Sequence, residues 1–221
     1  YYTYMGIGFF LLLLAVGAFV FWFFYLRKKD RLLQGKKKGI RAAAQEGSDK
    51  KLFRTVLILI GGGLLLRLIL AGPSMGYGND IALFKYWAST SADDLLNTYN
   101  ILGSNIDYPP GYVYILNLCG HLANLFSAQD SAFYTIIIKL PAILSDCGIG
   151  LLLYLFCKER TDANRTCFFV MLWMFNPLSI LDSAVWGQVD SVLALALVAA
   201  LYFITKDRYV LSAVLFGVGV M

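Results

Sequence analysis

The sequence predicts an all-α membrane protein built as a bundle of spanning helices. Of its 221 residues, 59% are hydrophobic and 15% are charged, whereas soluble domains are about 45–50% apolar and about 25% charged. The mean hydropathy is +0.66. One globular core cannot bury this excess of apolar side chains, and the longest uncharged runs have the length of a membrane-spanning helix.

The first two apolar runs flank a strongly basic segment. Residues 6–26 are uncharged and follow no basic region, so residues 1–26 are predicted to form an extra membrane anchor rather than a secretory signal. Residues 27–54 contain eleven Lys or Arg and three acids. Such a loop stays in the cytoplasm and rests against anionic lipid head groups. We therefore expect residues 55–72 to span towards the outside, and we expect lipid rather than nucleic acid as the partner of the basic charge.

Residues 73–109 form the first extracytoplasmic loop in this topology. The loop contains one lysine, Lys85, and four aspartates, which is the opposite charge balance to the cytoplasmic loop. Residues 81–102 (IALFKYWASTSADDLLNTYNIL) have apolar side chains at helical spacing, which predicts a helix lying at the outer head-group level. The helical spacing places Phe84, Trp87, Ala88, Ser91 and Leu95 on one side of this helix.

Further apolar segments follow at 110–126, 139–157, 166–181, 191–205 and 209–221. Simple alternation of spans places the basic loops KERTDANR and KDR outside, against the positive-inside rule. If 110–126 instead enters the membrane and returns, both basic loops become cytoplasmic and WGQVD lies outside. We prefer this second topology, which the helix-breaking Pro109-Pro110-Gly111 permits. Because the last run is too short to span, we expect a fragment of a longer chain, with 55–221 as the N-terminal part of the bundle.

Several ionisable residues lie within or beside apolar runs, where a charge costs about 2.5–3.5 kcal/mol at mid-bilayer on insertion scales. Arg67 interrupts GGGLLLRLILAG, and Lys139 and Asp146 are two helical turns apart. Snorkelling or pairing within the bundle would explain each of these residues without a function. Asp80 differs because it follows the helix on the outer side, beside the aromatic helix. An acid at that position is able to accept a proton from a hydroxyl, and a nearby cation is able to bind a lipid-linked phosphate.

Four ordered motifs carry a resemblance to a known family. GYGNDIALFKYWA, DYPPGYVYIL, KLPAILSD and FNPLSILDSAVWGQVDS, within about residues 55–205, resemble the bacterial mannosyltransferase-like branch of the GT-C glycosyltransferases. That branch is similar to the mannosyl- and glucosyltransferases of the endoplasmic reticulum that build GPI anchors and asparagine-linked glycans. The resemblance implies an integral membrane enzyme that uses a polyprenyl-phosphate-linked sugar. Many relatives have an acidic pair at the first motif, whereas this chain has Asn79 before Asp80, which weakens the case for a metal-dependent mechanism.

The resemblance also implies roles for individual residues. Asp80 matches the family's acceptor-activating acid, and Asp107 or Asp190 would assist it. The cations considered as donor-phosphate ligands are Arg67, Lys85 and Lys139. The residues considered as sugar or acceptor ligands are Tyr86, Trp87, Tyr108, Trp186 and Gln188. We predict no cofactor and no metal ligand, and the sequence leaves a divalent metal open.

We therefore expect a membrane glycosyltransferase that transfers a mannose-like hexose from polyprenyl phosphate to an extracytoplasmic glycan, lipid or polymer. One displacement inverts the anomeric configuration, so one essential carboxylate suffices, in contrast to the two used in glycoside hydrolysis. The expected location is a bacterial plasma membrane, with the site on the extracytoplasmic face. Two alternatives are a transporter or flippase of a lipid-linked substrate and a non-catalytic scaffold that docks through residues 27–54. The transporter path would use Arg67, Lys139, Asp146 and Asp190.

Overall fold

The structure is a computed structural model that describes residues 42–128 and 131–220, with side chains from residue 49 onward. The predicted anchor at 1–26 and most of the basic loop at 27–54 lie outside the described residues. Their predicted roles therefore stay predictions. The four motifs that carry the family resemblance all lie inside the described part of the chain.

The regular structure of the described residues is helical throughout, which confirms the all-α fold class. The chain divides into two compact units, 1–49 and 50–221, and the first is described only from residue 42. The helices are α1 (Ala42–Ala71), α2 (Gly78–Asp93), α3 (Thr98–Leu102), α4 (Pro110–Leu125), α5 (Ala132–Cys157), α6 (Ala163–Met174), α7 (Pro177–Ile180), α8 (Asp190–Ile204) and α9 (Tyr209–Val220). A 3₁₀ turn occupies Gly103–Asn105, and a π-helical turn occupies Leu181–Trp186.

Within the described residues, two helices are long and apolar enough to cross a membrane, α5 and the Asp49–Ala71 part of α1. A third candidate is α6 continued by Pro177–Trp186, a pair bent by 40°. The bend follows from Pro177, which has no N–H to continue the helical ladder. Asn176 then caps the new helix, because its side chain accepts a hydrogen bond from the N–H of Leu178 at 2.9 Å. Helices α8 and α9 are apolar but shorter.

Helices α1 and α5 run antiparallel, and their ends define the two ends of the bundle. Early in α1, the ring of Phe53 contacts that of Tyr154 late in α5, with centroids 5.7 Å apart. At the end of α1, the carbonyl oxygen of Ala71 lies 3.5 Å from Nζ of Lys139, early in α5. We call the end that contains residues 72–77 the loop end, and the opposite end the basic end.

The loop end brings together segments that simple alternation of spans would separate. The backbone N–H of Tyr77 donates to the carbonyl oxygen of Trp186 at 3.0 Å, so the first loop and WGQVD lie at the same end. At the basic end, Lys206 forms an ion pair with Glu159, so KDR and KERTDANR lie together. The contact between Tyr77 and Trp186 disagrees with simple alternation and agrees with the preferred topology, in which 110–126 does not carry the chain across the bundle. The pairing of KDR with KERTDANR is expected in both topologies.

Helix α4 differs in detail from the predicted entry and return, because it is one continuous helix that packs along α2. Gly120 allows the close approach, since a Cβ at this position would collide with the carbonyl oxygen of Ala88. The side-chain amide of Asn117 donates to the carbonyl oxygen of Ser91 at 2.6 Å. The α2–α4 pair shares one apolar core with the start of α5.

The predicted grouping of residues on one side of the loop helix is confirmed, and that side is buried, although α2 ends before the predicted range 81–102 does. The buried residues on that side include Phe84, Trp87, Ala88 and Ser91. Helix α2 ends at Asp93 because the Asp94 carboxylate accepts hydrogen bonds from the backbone and side-chain N–H groups of Asn97, at 3.2 and 2.8 Å. Such local bonds compete with the helical ladder. Leu95 therefore lies beyond the helix end, where it is half-buried.

Candidate functional site

Asp80 lies in the first turn of α2, at the loop end, where it is half-buried. The side-chain amide of Gln188 donates a hydrogen bond to its Oδ2, across a sequence separation of 108 positions. A carboxylate has about four acceptor positions on its two oxygens. One amide donor is therefore able to orient Asp80 while leaving it capacity to accept a hydrogen bond from a substrate hydroxyl.

The loop after α1 and the end of the π-helical turn are joined by several contacts. Besides the backbone hydrogen bond between Tyr77 and Trp186, their rings lie 6.1 Å apart in an edge-on arrangement. Ser74 Oγ donates to the carbonyl oxygen of Val185 at 2.5 Å. These contacts fix the start of α2 against the motif WGQVD, and the meeting of the two motifs is what brings the amide to the acid.

The structure brings the three predicted acids together around one phenol. Burial, followed by the negative charges of Asp190, Asp80 and Asp107, raises the pKa of Tyr108 to about 12. Asp107 and Asp190 are exposed, while Asp80 is half-buried. Carboxylates from three separate motifs therefore lie at one end of the bundle, near enough for their charges to affect the same phenol.

Tyr108 is held by an aromatic cluster in which Trp87 is a core residue. The centroid of the Tyr108 ring lies 5.5 Å from that of Phe84, 5.4 Å from that of Trp87 and 5.6 Å from that of Tyr112. Trp87 is 1% exposed, and its indole N–H donates to the carbonyl oxygen of Asn105 at 2.9 Å. A ring so enclosed has little surface to offer a sugar, and the role of Trp87 as a sugar ligand stays a prediction.

The other predicted sugar or acceptor ligands keep part of their surface open. Tyr86 and Trp186 each expose 50% of their surface, and Tyr108 and Gln188 are half-buried. Exposed aromatic rings combine an apolar face with a polar edge. These four residues therefore remain available to contact a substrate, in contrast to Trp87.

The three cations predicted to bind phosphate lie in different environments. Lys85 is half-buried, and burial lowers its pKa. Its Nζ lies 5.4 Å from the centroid of the Tyr134 ring. Arg67 and Lys139 are fully buried and donate to protein acceptors. The roles of all three cations as phosphate ligands stay predictions, and Lys85 is the candidate that keeps some exposure.

Beneath the acids, Arg67 and Asp146 form a fully buried ion pair, with Nε 2.8 Å from Oδ2. The hydroxyls of Ser183 and Ser191 also donate to the Asp146 carboxylate, at 2.7 and 2.8 Å. The guanidinium donates a further bond to the carbonyl oxygen of Met174 at 2.7 Å. Because these groups belong to α1, α5, α6, the π-helical turn and α8, the ion pair joins most of the helices that support the loop end.

Asp182, which begins the motif DSAVWGQVD, was not among the predicted site residues. It is half-buried, and its charge interacts with those of Asp190 and Asp146. Its carbonyl oxygen accepts hydrogen bonds from the N–H groups of Gly187 and Gln188, at 2.9 and 3.0 Å. Two acids bounding one short motif were the signal in the sequence, but a π-helical turn, which is frequent at functional sites, is visible only in the structure.

The acids of the loop end do not form a metal centre within the described part of the chain. No group of three or more His, Cys, Asp or Glu side chains there is arranged to hold a metal ion. Asn79, next to Asp80, is exposed. Carboxylates such as those at the loop end are able to accept protons and hydrogen bonds.

Comparison with known proteins finds one distant similarity of interest. The chain is similar to GPI mannosyltransferase 1 of Saccharomyces cerevisiae, with 27% identity over 82 residues. The match covers 37% of this chain and 20% of the yeast protein, so this chain spans a minor part of that relative's length. No protein-family model matches the chain, and no solved structure matches it. With its apolar helices, this similarity indicates a membrane protein and suggests a membrane glycosyltransferase.

Proposed function

We propose that this chain belongs to a GT-C-type membrane glycosyltransferase that transfers a mannose-like hexose from a polyprenyl-phosphate donor. The observation that carries the proposal is the hydrogen bond from Gln188 to the Asp80 carboxylate, with Asp107 and Asp190 close by. A general base must be held within reach of the hydroxyl it deprotonates, and an amide from a distant motif holds Asp80 in this way. The similarity to a mannosyltransferase supports the reaction class.

In the proposed reaction, the Asp80 carboxylate accepts the proton of an acceptor hydroxyl as the hydroxyl oxygen attacks the anomeric carbon of the donor. A glycosidic C–O bond forms while the C–O bond to the phosphate breaks, and the polyprenyl phosphate leaves with the electron pair. This single displacement inverts the anomeric configuration. Asp107 and Asp190, which are exposed, are proposed to bind acceptor hydroxyls. Lys85 is proposed to meet the leaving phosphate.

We place the loop end on the extracytoplasmic face of a bacterial plasma membrane. The support is charge: the basic end contains Lys158, Arg160 and Lys206, whereas 73–109 has one lysine against four aspartates. The positive-inside rule then puts the basic end in the cytoplasm. Anionic lipids are the proposed partners of residues 27–54. The bacterial assignment rests on the family resemblance alone.

The two alternative functions find less support. A transporter path was predicted to include Arg67, Lys139 and Asp146, but all three side chains are fully buried and bound to protein partners. Side chains in a substrate path face a cavity or exchange partners during transport. A scaffold would dock through 27–54, and it gives no reason for the acids gathered around Tyr108.

The test compares the full-length wild-type protein with Asp80→Asn, each assayed with a panel of radiolabelled polyprenyl-phosphate hexoses. Loss of general-base catalysis should lower kcat by about 10²–10⁴-fold. Asp93→Asn is the matched control, because Asp93 lies on the same helix, is exposed, and belongs to no part of the proposed site. It should retain the wild-type rate.

Both variants should keep the wild-type melting temperature in detergent, which separates loss of chemistry from loss of fold. Undiminished transfer by Asp80→Asn would remove this residue as the base. Failure of the wild type to transfer any hexose in the panel would overturn the proposed donor class.

A further inference from the structure

We propose that Lys139 is a positioning residue, a buried clip that holds the first loop against the π-helical turn so that Asp80 and Gln188 meet. The clip is a feature of the fold, and its importance for catalysis rests on the proposed function, in which Asp80 is the base. Lys139 itself touches neither Asp80 nor a substrate in this proposal. It acts through the backbone of the two segments that carry the reacting acid and its amide partner.

The Lys139 ammonium group donates hydrogen bonds to three different segments. Its Nζ donates to the carbonyl oxygen of Ser74 at 2.8 Å, to that of Val185 at 3.3 Å and to that of Ala71 at 3.5 Å. Ala71 ends α1, Ser74 lies in the first loop, and Val185 lies in the π-helical turn. One side chain of α5 therefore fastens three segments that are distant from it in sequence.

The three acceptors at this site match the three donors of a lysine ammonium group. An ammonium group has three donors, and three carbonyl oxygens face it here. The carbonyls of a last helical turn lack partners within their own helix, so Ala71 offers an acceptor that needs a donor. A buried charge is costly unless it is hydrogen-bonded, and the side chain of Lys139 is 0% exposed. The three bonds offset that cost, so the ammonium binds strongly to the segments that it joins.

The packing around Lys139 agrees with this role. Gly187, the next residue after Trp186, has a φ of +87°, and a Cβ there would lie 3.1 Å from Cε of Lys139 and 2.8 Å from Ile81. Glycine is therefore needed both for the left-handed backbone and for the close approach of the lysine stem. The turn that presents Gln188 is shaped around Lys139.

The clip continues into the site through a row of hydrogen bonds. From the ammonium group the row passes to the Ser74–Val185 bond, then to the backbone bond between Tyr77 and Trp186, and then to the contact between Gln188 and Asp80. Removing the Lys139 ammonium group should therefore weaken the other contacts in this row. The Arg67–Asp146 pair reaches the π-helical turn through Ser183, but its described hydrogen-bond partners do not include a residue of the first loop.

The direct test measures backbone amide exchange by mass spectrometry in the full-length protein in lipid nanodiscs, comparing wild type with Lys139→Met. Peptides that contain residues 73–78 and 186–189 should exchange at least about tenfold faster in the variant, because local opening of the joined segments becomes easier. The matched control is Ile138→Ala, since Ile138 is the neighbouring residue and is 2% exposed. It weakens packing but leaves the clip intact, so these peptides should exchange as in wild type.

Equal exchange in wild type and Lys139→Met would overturn the clip. If Lys139→Met does not fold, Lys139→Gln serves instead, because its amide keeps two of the three donors. That variant should accelerate exchange in the same two peptides by a smaller factor, and no acceleration would likewise overturn the proposal.

A second measurement asks whether the clip acts through the contact between Gln188 and Asp80. With the donor identified by the Asp80 test, Lys139→Met should lower kcat about tenfold and change KM less. Adding Gln188→Ala to Lys139→Met should lower kcat little further, because both changes break the same row of contacts. By contrast, the effects of Ile138→Ala and Gln188→Ala on kcat should multiply when the two changes are combined. If the effects of Lys139→Met and Gln188→Ala on kcat multiply, the clip does not act through this contact. If the wild type transfers no sugar, the proposed function is wrong, but the amide-exchange result still tests the clip.

Discussion

Two groups of ionisable side chains lie in the same bundle under very different conditions. In the deep group, Arg67 and Asp146 are 0% exposed and bound to each other and to several helices. In the group at the loop end, Asp80 is half-buried with one amide partner, and Asp107 and Asp190 are exposed. Every buried side-chain N and O atom among the described residues has a hydrogen-bond partner.

The difference shows how to decide whether a charged residue near a membrane has a structural or a catalytic role. An ionisable residue in an apolar run is a functional hypothesis by default, and Arg67 and Asp146 satisfied that criterion in the sequence, whereas the acids of the loop end lie beside apolar runs. Burial separates them, because a charge with all its hydrogen bonds made inside the protein has none left for a substrate. The deep group therefore supports the fold, and the group at the loop end is where we expect chemistry.

The largest effect should come from breaking the deep group with Arg67→Met. The substitution leaves the Asp146 carboxylate buried without its cation, and removing one partner of a buried pair costs about 3–5 kcal/mol. The free energy of unfolding, measured by steric trapping in bicelles, should fall by that amount. A loss under about 1 kcal/mol would show that water or other groups compensate the charge.

The control for this experiment removes both charges in the double variant Arg67→Met, Asp146→Leu. A hydrophobic replacement of a whole buried pair is often close to neutral, so the double variant should recover most of the lost stability. The hydroxyl of Ser183 retains the carbonyl oxygen of Ser179 as an acceptor, at 2.9 Å. A double variant as unstable as Arg67→Met would show that the carboxylate contributes more than its charge.

The loop-end group should respond in the opposite way, with loss of rate and little loss of stability. Gln188→Ala removes the amide donor of Asp80, a hydrogen bond to a charged group worth about 1.5–3 kcal/mol. Since about 1.4 kcal/mol is a factor of ten in rate, kcat should fall about tenfold or more. The melting temperature should stay near that of wild type, because Gln188 is half-buried at the edge of the bundle.

Gln188→Glu sharpens this prediction, because it places a second carboxylate against Asp80. Like charges in contact repel, so its kcat should fall further than that of Gln188→Ala. A normal rate in both variants would show that the amide does not orient the base, and the contrast between the two groups would then rest on burial alone.

A smaller effect concerns Tyr108, whose pKa is raised to about 12 by burial and by the three acids. The unfolded phenol ionises near pH 10, so between about pH 10 and 12 the unfolded state has lost a proton that the folded state keeps. The folding stability that this difference contributes is fully present below about pH 10 and is lost as the pH rises to about 12. Melting temperatures should therefore fall more steeply over that range in wild type than in Tyr108→Phe. Parallel curves would contradict a raised pKa.

Sequence reasoning predicted the residues that periodicity or motifs specify. Helical spacing identified the packing side of α2 because that side depends only on local geometry. The motifs grouped Asp80, Asp107, Gln188 and Asp190, and the structure brings these residues to one end of the bundle. The charge balance of the loops predicted that WGQVD lies at the same end as the first loop.

The partners of Arg67 and Lys139 were beyond sequence reasoning. Lys139 and Asp146 are two turns apart on one helix, yet Asp146 pairs with Arg67, 79 positions away, and Lys139 binds three carbonyl oxygens. Spacing tells which side of a helix a residue occupies, but the packing of other helices decides which acceptor it meets. The end of α2 was missed for a related reason, because the bonds from Asn97 to Asp94 compete with the helix locally.

The smallest effect should come from an ion pair at the basic end that has the same chemistry as the deep group but lies exposed. Lys206 pairs with Glu159, and their side chains are 31% and 42% exposed. Exposed pairs contribute about 0–1 kcal/mol and are screened by salt. Lys206→Gln should therefore lower the free energy of unfolding by less than 1 kcal/mol on this estimate, and high salt should remove the difference. A loss as large as that of Arg67→Met would mean that exposure does not separate structural from marginal charge pairs in this bundle.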